Sequence, residues 1–170
     1  MRVKKQQRLY ANSDGFSFIE LVVIIAIIGV LAVFSIPTFI SFVQAQRTQA
    51  AARELVAMLN QARHLAITRN ASFSIEVQTT PQDRLRFCSD TTIPCVGETV
   101  WAGPGTDTDG WMGLASGDRI TVGPQITFGP LGTATTAGTL RVQNTSGTSC
   151  LDVVVSPAGR IRIAAAGACP

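Results

Sequence analysis

The sequence predicts an α+β protein, with one long N-terminal helix followed by an antiparallel β-sheet domain. The first 70 residues hold a long apolar run and then apolar residues at helical spacing. The residues after Ala71 are rich in Gly, Pro, Ser and Thr and carry short alternating runs separated by turn signals. Of the 170 residues, 46% are hydrophobic and 15% are charged. This composition allows one domain with an appended segment and excludes disordered and collagen-like chains.

The net charge of +3 lies in the N-terminal tail. Residues 16–170 carry as many arginines as acidic residues and no lysine. A basic block before an apolar run stays on the cytoplasmic side of a membrane. The net charge therefore indicates orientation and gives no support to nucleic-acid binding by the rest of the chain. The charged residues of the first fifteen positions are Arg2, Lys4, Lys5, Arg8 and Asp14.

The apolar run is long enough to cross a membrane. Leu21–Phe34 contains no polar side chain, and in the wider span 16–43 the only charged residue is Glu20. A helix of about 20 apolar residues crosses a bilayer, whereas a soluble chain of this size could not cover a core helix that is apolar all round. We expect a transmembrane helix at 16–43, a cytoplasmic leader at 1–15, and a globular domain at 44–170 on the other side.

Glu20 is unusual in such a helix, because a carboxylate inside a membrane is costly unless it is paired. A cut after Gly15 would give Phe16 a new α-amino group, which is a natural partner for the carboxylate of the same chain or of a neighbour. The alternative interpretation is that Glu20 only marks the membrane interface. The small-residue cleavage site of a secretory signal peptide is not evident after the apolar run.

The segment Gly15–Pro37, GFSFIELVVIIAIIGVLAVFSIP, resembles the N-terminus of type IV pilins and type II secretion pseudopilins. The resemblance implies that a prepilin peptidase cleaves after Gly15 and methylates Phe16, and that Glu20 acts in filament assembly. It also implies a kinked or locally melted helix at Pro37, where a proline removes a helical hydrogen bond. Asp14 departs from the family pattern, in which a neutral or basic residue usually precedes the glycine.

A second helical pattern continues from the membrane segment to about Asn70. Polar and charged side chains fill the face opposite the apolar residues, and no Gly or Pro interrupts residues 44–69. The pattern predicts an amphipathic helix whose apolar stripe lies on the globular domain. The stripe consists of Ala52, Leu55, Val56, Leu59, Ala62, Ala66 and Ile67.

The remainder of the chain predicts eight short strands separated by Gly- and Pro-containing turns. The segment Gly103–Gly117 is rich in Gly, Asp and Thr, and we expect a loop or a loosely ordered hairpin there. The predicted strands are Phe73–Gln78, Arg84–Cys88, Thr99–Ala102, Arg119–Val122, Ile126–Phe128, Gly138–Gln143, Leu151–Val155 and Arg160–Ile163.

All four cysteines follow the apolar span, on the side of the membrane where disulfides form. Four cysteines allow three pairings. Short loops close at the least entropic cost, which favours Cys88–Cys95 and Cys150–Cys169. A zinc site is the competing interpretation, but the CxxC spacing and a neighbouring histidine are missing.

The sequence holds no recognisable catalytic set, so we predict no enzymatic activity, cofactor or metal. His64 is the only histidine and is interpreted as a surface residue, and no GxSxG, P-loop or HExxH motif occurs. The segment 107–110 resembles the start of a calcium loop but lacks the later ligands, and is interpreted as a turn. Trp101 and Trp111 are interpreted as a core residue and a loop anchor, with a sugar or partner platform as the alternative.

The domain after the helix resembles the GspH/FimT group of minor pilins and pseudopilins. The resemblance implies a structural subunit of a type IV pilus or type II secretion system, held in the inner membrane with its domain in the periplasm. It implies other pilins, the prepilin peptidase and the assembly platform as partners, and exported protein as a further one. The matching segments are Arg53–Asn70, Cys88–Ser89, Cys95, Trp101, Gly110–Trp111, Ile126–Gly132 and Val153–Ile163.

The sequence GRIR at 159–162 supports an alternative function. On a strand, Arg160 and Arg162 would share a face about 6–7 Å apart, close to the spacing of DNA phosphates, while Ile161 and Ile163 would face the core. In FimT-like minor pilins a GRxR motif at this place is associated with DNA binding during uptake, which makes DNA a candidate partner. Half-exposed strands also commonly alternate polar and apolar residues, and no aromatic stack or lysine cluster supports DNA binding.

Overall fold

The computed structural model describes residues 15–121, 123, 125–167 and 169, without the side chains of residues 37 and 38. The chain divides into two compact units, Met1–Ile40 and Ser41–Pro170, of which only the residues named above are described. Residues 1–14, which make up the predicted leader apart from Gly15 and include Asp14, lie outside the described residues.

A single helix, α1, runs from Phe18 to Thr68. Gly15, Phe16 and Ser17 precede it without regular structure. The helix is continuous at position 37, where the resemblance implies a kink or a melted turn; the side chain of Pro37 lies outside the described residues. An 18-residue window of α1 has a mean hydropathy of 3.0, so by length and composition this helix can cross a membrane.

The end of α1 is set by a left-handed residue. Asn70 adopts φ 49°, and the amide of Ala71 donates to the carbonyl of Ala66 at 3.2 Å. Such a backbone reversal satisfies carbonyls that the last helical turn leaves open. The helix therefore ends two residues before the predicted position.

The second unit contains two antiparallel sheets. One has five strands in the order β3-β2-β1-β5-β6, and the other has four strands in the order β4-β7-β8-β9. The strands are β1 Phe73–Gln78, β2 Arg84–Cys88, β3 Met112–Gly113, β4 Arg119–Thr121, β5 Ile126–Phe128, β6 Ala134–Thr136, β7 Gly138–Gln143, β8 Cys150–Val155 and β9 Ile161–Ala165.

The predicted α+β class is confirmed, and four strands have the predicted bounds. The prediction at Thr99–Ala102 is wrong, because a 3₁₀ turn at Gly97–Thr99 leaves only an isolated bridge between Val100 and Cys88. Strands β3 and β6 were missed, since each is too short to show alternation. The other three strands differ by one or two residues at one or both ends, and residue 122 lies outside the described residues.

The core lies between the second half of α1 and the two sheets. The predicted stripe is buried at five of its seven positions and half-buried at Val56. The prediction is wrong at Ile67, which is 47% exposed. Three fully buried phenylalanines, Phe73, Phe87 and Phe128, face the helix from the five-stranded sheet, and burying such a ring stabilises the fold by roughly 1.5–3 kcal/mol. The buried stripe residues are Ala52, Leu55, Leu59, Ala62 and Ala66.

Two disulfides join the cysteines in the pairs with short loops. Cys88 and Cys95 are seven residues apart, with their Cα atoms 5.4 Å apart. Cys150 and Cys169 are nineteen residues apart, with their Cα atoms 5.7 Å apart, and they join the start of β8 to the chain beyond β9. No described cysteine is free.

Candidate functional site

The predicted processing and assembly residues lie at the beginning of α1. Glu20 is in the first helical turn and is exposed, and Phe16 is exposed in the irregular segment before the helix. A carboxylate at a helix N-terminus interacts favourably with the helix dipole. The Glu20 carboxylate makes no ion pair or hydrogen bond with the described residues, so it is available to a partner. The roles of Gly15, Phe16 and Glu20 stay predictions.

The first unit presents an apolar surface on all sides of α1. Its large side chains between Leu21 and Phe39 are exposed by 43–74%, and none of the most apolar window is covered. Such a surface is not stable in water, because contiguous exposed apolar area of this size drives association or membrane insertion. This part of the helix therefore requires an apolar surrounding.

The two arginines of the GRIR sequence do not lie on one strand. Arg160 is in the turn before β9, where its carbonyl accepts from the amide of Ser156 at 2.9 Å. Arg162 is on β9, opposite Val154. Both side chains are exposed, and neither guanidinium has a hydrogen bond or ion pair with the described residues. Arg160 therefore lies one residue before the strand that carries Arg162, and both the shared face and DNA binding stay predictions.

Only one of the two isoleucines beside these arginines meets the prediction. Ile161 packs against the core as expected, but Ile163 is 37% exposed. Strand β9 forms the edge of the four-stranded sheet, so Ile163 has a neighbouring strand on one side only.

A polar cluster joins the Cys88–Cys95 loop to the five-stranded sheet. Glu76 on β1 lies opposite Arg86 on β2, and its Oε2 accepts from Arg86 Nε at 2.8 Å. The same oxygen accepts from the amide of Cys95 at 2.9 Å, and Arg86 Nη2 donates to the Cys95 carbonyl at 2.9 Å. The pair is mostly buried, so its hydrogen bonds compensate the desolvation of both charges.

Both tryptophans are 8% exposed. The Trp101 ring packs on Phe87, with the ring centroids 5.5 Å apart. The guanidinium carbons of Arg84 and Arg86 lie 4.5 Å and 4.3 Å from the Trp111 ring centroid, in a cation–π arrangement. Neither indole is thus an exposed platform for a sugar or a partner, and the interpretation as core residue and loop anchor fits both.

The residues considered as metal ligands have other partners. Asp107 Oδ1 accepts from the amides of Asp109 at 2.9 Å and Trp111 at 2.7 Å, which organises the turn. The oxygen of Glu76 and the sulfurs of Cys88 and Cys95 lie within 4.8 Å of one another. Because the two sulfurs are joined in a disulfide, they are not thiolate ligands here.

The sequence did not reveal the contact among two turns and α1. Gly132, in the turn between β5 and β6, has φ 75°, and Gly159, in the turn between β8 and β9, has φ 76°. A Cβ at Gly159 would overlap the carbonyl oxygen of Gly132. That oxygen accepts from Arg63 Nε at 2.8 Å. The only sequence signal was the presence of glycines in the two turn motifs.

Two family models match the chain. The model for the type II transport protein GspH matches residues 51–159, and the model for the prokaryotic N-terminal methylation motif matches residues 10–36. The chain belongs to the GspH family. As a GspH-family protein it is a minor pilin or pseudopilin, a structural subunit of the filaments of type IV pili or type II secretion systems. Its apolar helix is that of a membrane-anchored filament subunit.

Solved structures share the fold of this GspH-family protein. The type IV minor pilin FimU of Pseudomonas aeruginosa is 24% identical, with a TM-score of 0.51 over 76% of this chain and 99% of FimU. The minor pseudopilin EpsH of the Vibrio cholerae type 2 secretion system is 17% identical, with a TM-score of 0.50 over 72% of this chain and 97% of EpsH. A comparison with curated proteins gave no match.

One buried carboxylate of the GspH-family domain has an unpartnered oxygen. Asp118 is 6% exposed, and its Oδ2 has no hydrogen-bond partner among the described residues. Burial raises the pKa of Asp118, while the hydrogen bond with Ser116 and the positive charge of Arg47 oppose this. Because the folded state binds this proton more tightly than the unfolded state, ionisation of Asp118 makes folding less favourable as the pH rises.

We expect Asp118→Asn to raise the melting temperature at pH 7. The difference from wild type should shrink as the pH falls towards the ordinary Asp pKa of 3.8, where both side chains are neutral. Thermal melts of the full chain in detergent across this range measure the effect. Asp90→Asn, at an exposed loop carboxylate, is the control and should change little. A melting temperature for Asp118→Asn equal to or below wild type at pH 7 would contradict the prediction.

Proposed function

We propose that this protein is made as a precursor, is cleaved after Gly15, and is packed into a filament through the first half of α1. The filament belongs to a type IV pilus or a type II secretion system. Before assembly the chain would sit in the inner membrane, with the basic leader in the cytoplasm and the folded domain in the periplasm. The prepilin peptidase, the assembly platform and other pilins would be its partners.

The apolar surface of α1 is the observation that carries this proposal. It is long enough to cross a bilayer and is uncovered around its whole circumference. A bilayer and a bundle of similar helices are both apolar surroundings that remove this surface from water. One segment can therefore hold the subunit in the membrane first and in the filament core later.

The segment around the proposed cleavage site is suited to a peptidase. Gly15, Phe16 and Ser17 lie outside the helix, and their side chains or backbone are exposed. A peptide bond in an irregular, exposed segment can enter a protease active site without helix unfolding. Cleavage there would leave the new amino group of Phe16 four residues before Glu20.

Glu20 would then pair with the Phe16 amine of a neighbouring subunit. An ammonium and a carboxylate in an apolar bundle are both costly when unpaired, and they become tolerable as a hydrogen-bonded pair. The pairing sets the axial position of one helix against the next, because any other offset leaves both charges unpaired. Exposure of Glu20 in the first turn of α1 is consistent with this role.

We expect Glu20→Ala to give a folded, cleaved subunit that enters filaments at least tenfold less than wild type. Loss of a pair worth about 1.4 kcal/mol or more produces such a ratio. The measurement is the amount of the subunit in sheared filaments relative to the cells, with the N-terminus of the cell-associated protein read by mass spectrometry.

Glu98→Ala is the matched control, since Glu98 is an exposed carboxylate in a loop of the other unit. It should enter filaments like wild type. Incorporation of Glu20→Ala at the wild-type level would defeat the assembly role of Glu20. Absence of the wild-type chain from both filaments and membranes would defeat the proposed function as a whole.

DNA binding through the GRIR sequence is the second candidate, favoured by the exposure of Arg160 and Arg162 without partners. We expect the double variant Arg160→Ala, Arg162→Ala to bind duplex DNA at least tenfold more weakly at about 50 mM salt. The slope of log K against log salt should flatten by about 2, for two lost phosphate contacts.

Gel shifts of the full chain in detergent at several salt concentrations measure both quantities. A double variant at Arg53 and Arg119, two exposed arginines elsewhere in the domain, is the control. Equal binding by wild type and the Arg160, Arg162 variant, or no binding by wild type, would remove this candidate.

A further inference from the structure

Three segments meet at the C-terminal end of α1. The turns 129–132 and 156–159 lie side by side, because the Ala134 amide donates to the Pro157 carbonyl at 3.0 Å. Arg63 holds the first turn to the helix through its bond to Gly132. A Cβ at Gly132 would lie 2.8 Å from Ile67 Cδ1, so this turn rests directly on the helix end.

This junction exposes apolar side chains. Leu131 is 87% exposed, more than any other large hydrophobic side chain among the described residues. The other exposed apolar residues of the junction flank it on the adjoining turn and helix end. We call this the double-turn surface; it consists of Ile67, Pro130, Leu131, Pro157 and Ala158.

The double-turn surface is held rigidly. The Gly132 amide donates to the Gly129 carbonyl at 2.9 Å, and the Gly129 amide donates to the Thr133 carbonyl at 2.9 Å. In the second turn the Gly159 amide donates to the Ser156 carbonyl at 2.8 Å. An exposed leucine on a preformed turn loses little conformational entropy when it is buried by a partner.

The three segments that form this surface carry charges of one sign only. The segments 63–69, 129–134 and 156–162 contain four arginines and no carboxylate. Two of them, Arg160 and Arg162, are exposed and have no partner among the described residues. A surface that buries Leu131 and carries carboxylates around the contact would complement both the shape and the charge.

We propose that the double-turn surface docks a different pilin-class subunit of the same filament, with Leu131 inserted into an apolar pocket bordered by carboxylates. The inference rests on the proposed function. Exposed Leu and Pro side chains favour a protein partner over DNA, whose phosphates would use only the arginines. Two copies of the cationic surface would repel each other, which disfavours a symmetric contact between two double-turn surfaces.

The position of the surface within the second unit supports an axial contact. It lies at the end of α1, whereas the helix enters this unit at Ser41. At about 1.5 Å per residue the two positions are roughly 40 Å apart along the helix. In a filament whose subunits align their helices with its axis, such an end faces the next subunit along the axis.

A photo-crosslinking amino acid at position 131 of the full chain, in cells that assemble the filament, tests the proposal. We expect a covalent adduct with one other pilin-class subunit, identified by mass spectrometry. The same amino acid at Val96 is the control, because Val96 is also an exposed apolar loop residue of this unit. An adduct with DNA, with exported protein or with a second copy of this chain would overturn the proposal.

Leu131→Glu provides the second measurement. It should leave the melting temperature unchanged, since the side chain contacts little, and should lower incorporation into sheared filaments at least tenfold, as for an interface hot spot. Val96→Glu should enter filaments normally. If Leu131→Glu enters filaments normally while Glu20→Ala does not enter them, the docking surface is overturned. The proposed function would stay intact in that case.

Discussion

Gly159→Ala is expected to lower the free energy of unfolding by about 2–4 kcal/mol. Two costs contribute to this loss. A residue with a side chain at φ 76° is strained, and its Cβ would overlap the backbone carbonyl of Gly132, which cannot rotate away. Movement of that carbonyl would also break its hydrogen bond with Arg63. Urea unfolding of the full chain in detergent measures the difference.

Gly117→Ala separates the two costs. Gly117 has φ 70°, but a Cβ there would have no atom within 4 Å. Only the backbone strain applies, so we expect Gly117→Ala to lower the free energy of unfolding by roughly 1–2 kcal/mol. Equal losses for the two variants would show that the close approach of the turns contributes nothing. In that case the glycine of the GRIR sequence would be needed only for its backbone angle.

Glu76→Ala is expected to lower the free energy of unfolding by about 2–3 kcal/mol. The change leaves the Arg86 guanidinium without its carboxylate in a mostly buried place, and it leaves the Cys95 amide unpaired. Glu76→Gln should lower the free energy of unfolding by less, because the glutamine side-chain carbonyl can still accept from the Cys95 amide. The same urea titration ranks the variants.

The control for Glu76 is Asp152→Ala. Asp152 pairs with Arg141 across β7 and β8 at 2.7 Å, in a cross-strand geometry like that of Glu76 and Arg86. Its hydrogen bond raises the pKa of Arg141. Asp152 is as buried as Glu76, with 16% of each side chain exposed, but Arg141 is 28% exposed against 14% for Arg86. Water can therefore solvate the Arg141 guanidinium better once its carboxylate is removed, and we expect a smaller loss of stability. A loss for Asp152→Ala as large as that for Glu76→Ala would contradict the assigned role of burial.

Much of the fold could be predicted because its signals are local. Strands such as Phe73–Gln78 and Gly138–Gln143 show their alternation within six residues, and helical spacing identifies the buried stripe of α1. Strand β3 has only two residues, so its pairing with β2 is visible only in the folded chain. The failure at Thr99–Ala102 has the same origin, since Val100 and Trp101 bond to β2 without forming a ladder.

The candidate functional site likewise contains residues that the sequence predicted and residues that only the folded chain reveals. Gly15, Phe16 and Glu20 were predicted from a contiguous motif, and the structure places them at an exposed helix start. Arg160 was predicted to begin a strand, but β9 begins one residue later, at Ile161, and Arg160 is joined to Ser156 by a hydrogen bond just before it. Leu131 carried no sequence signal, because a leucine in a turn is distinguished only by the absence of neighbours around it.

The sequence by itself determined the membrane-competent helix, the order and kind of most elements, and the membership of a filament-subunit family. These follow from periodicity, turn residues and motifs that lie close together in the chain. Only the tertiary structure decided that two glycine turns meet at the end of α1, through a bond between Arg63 and Gly132, 69 positions apart. Such contacts depend on how sheets and helix pack, and no local pattern of side chains encodes that arrangement.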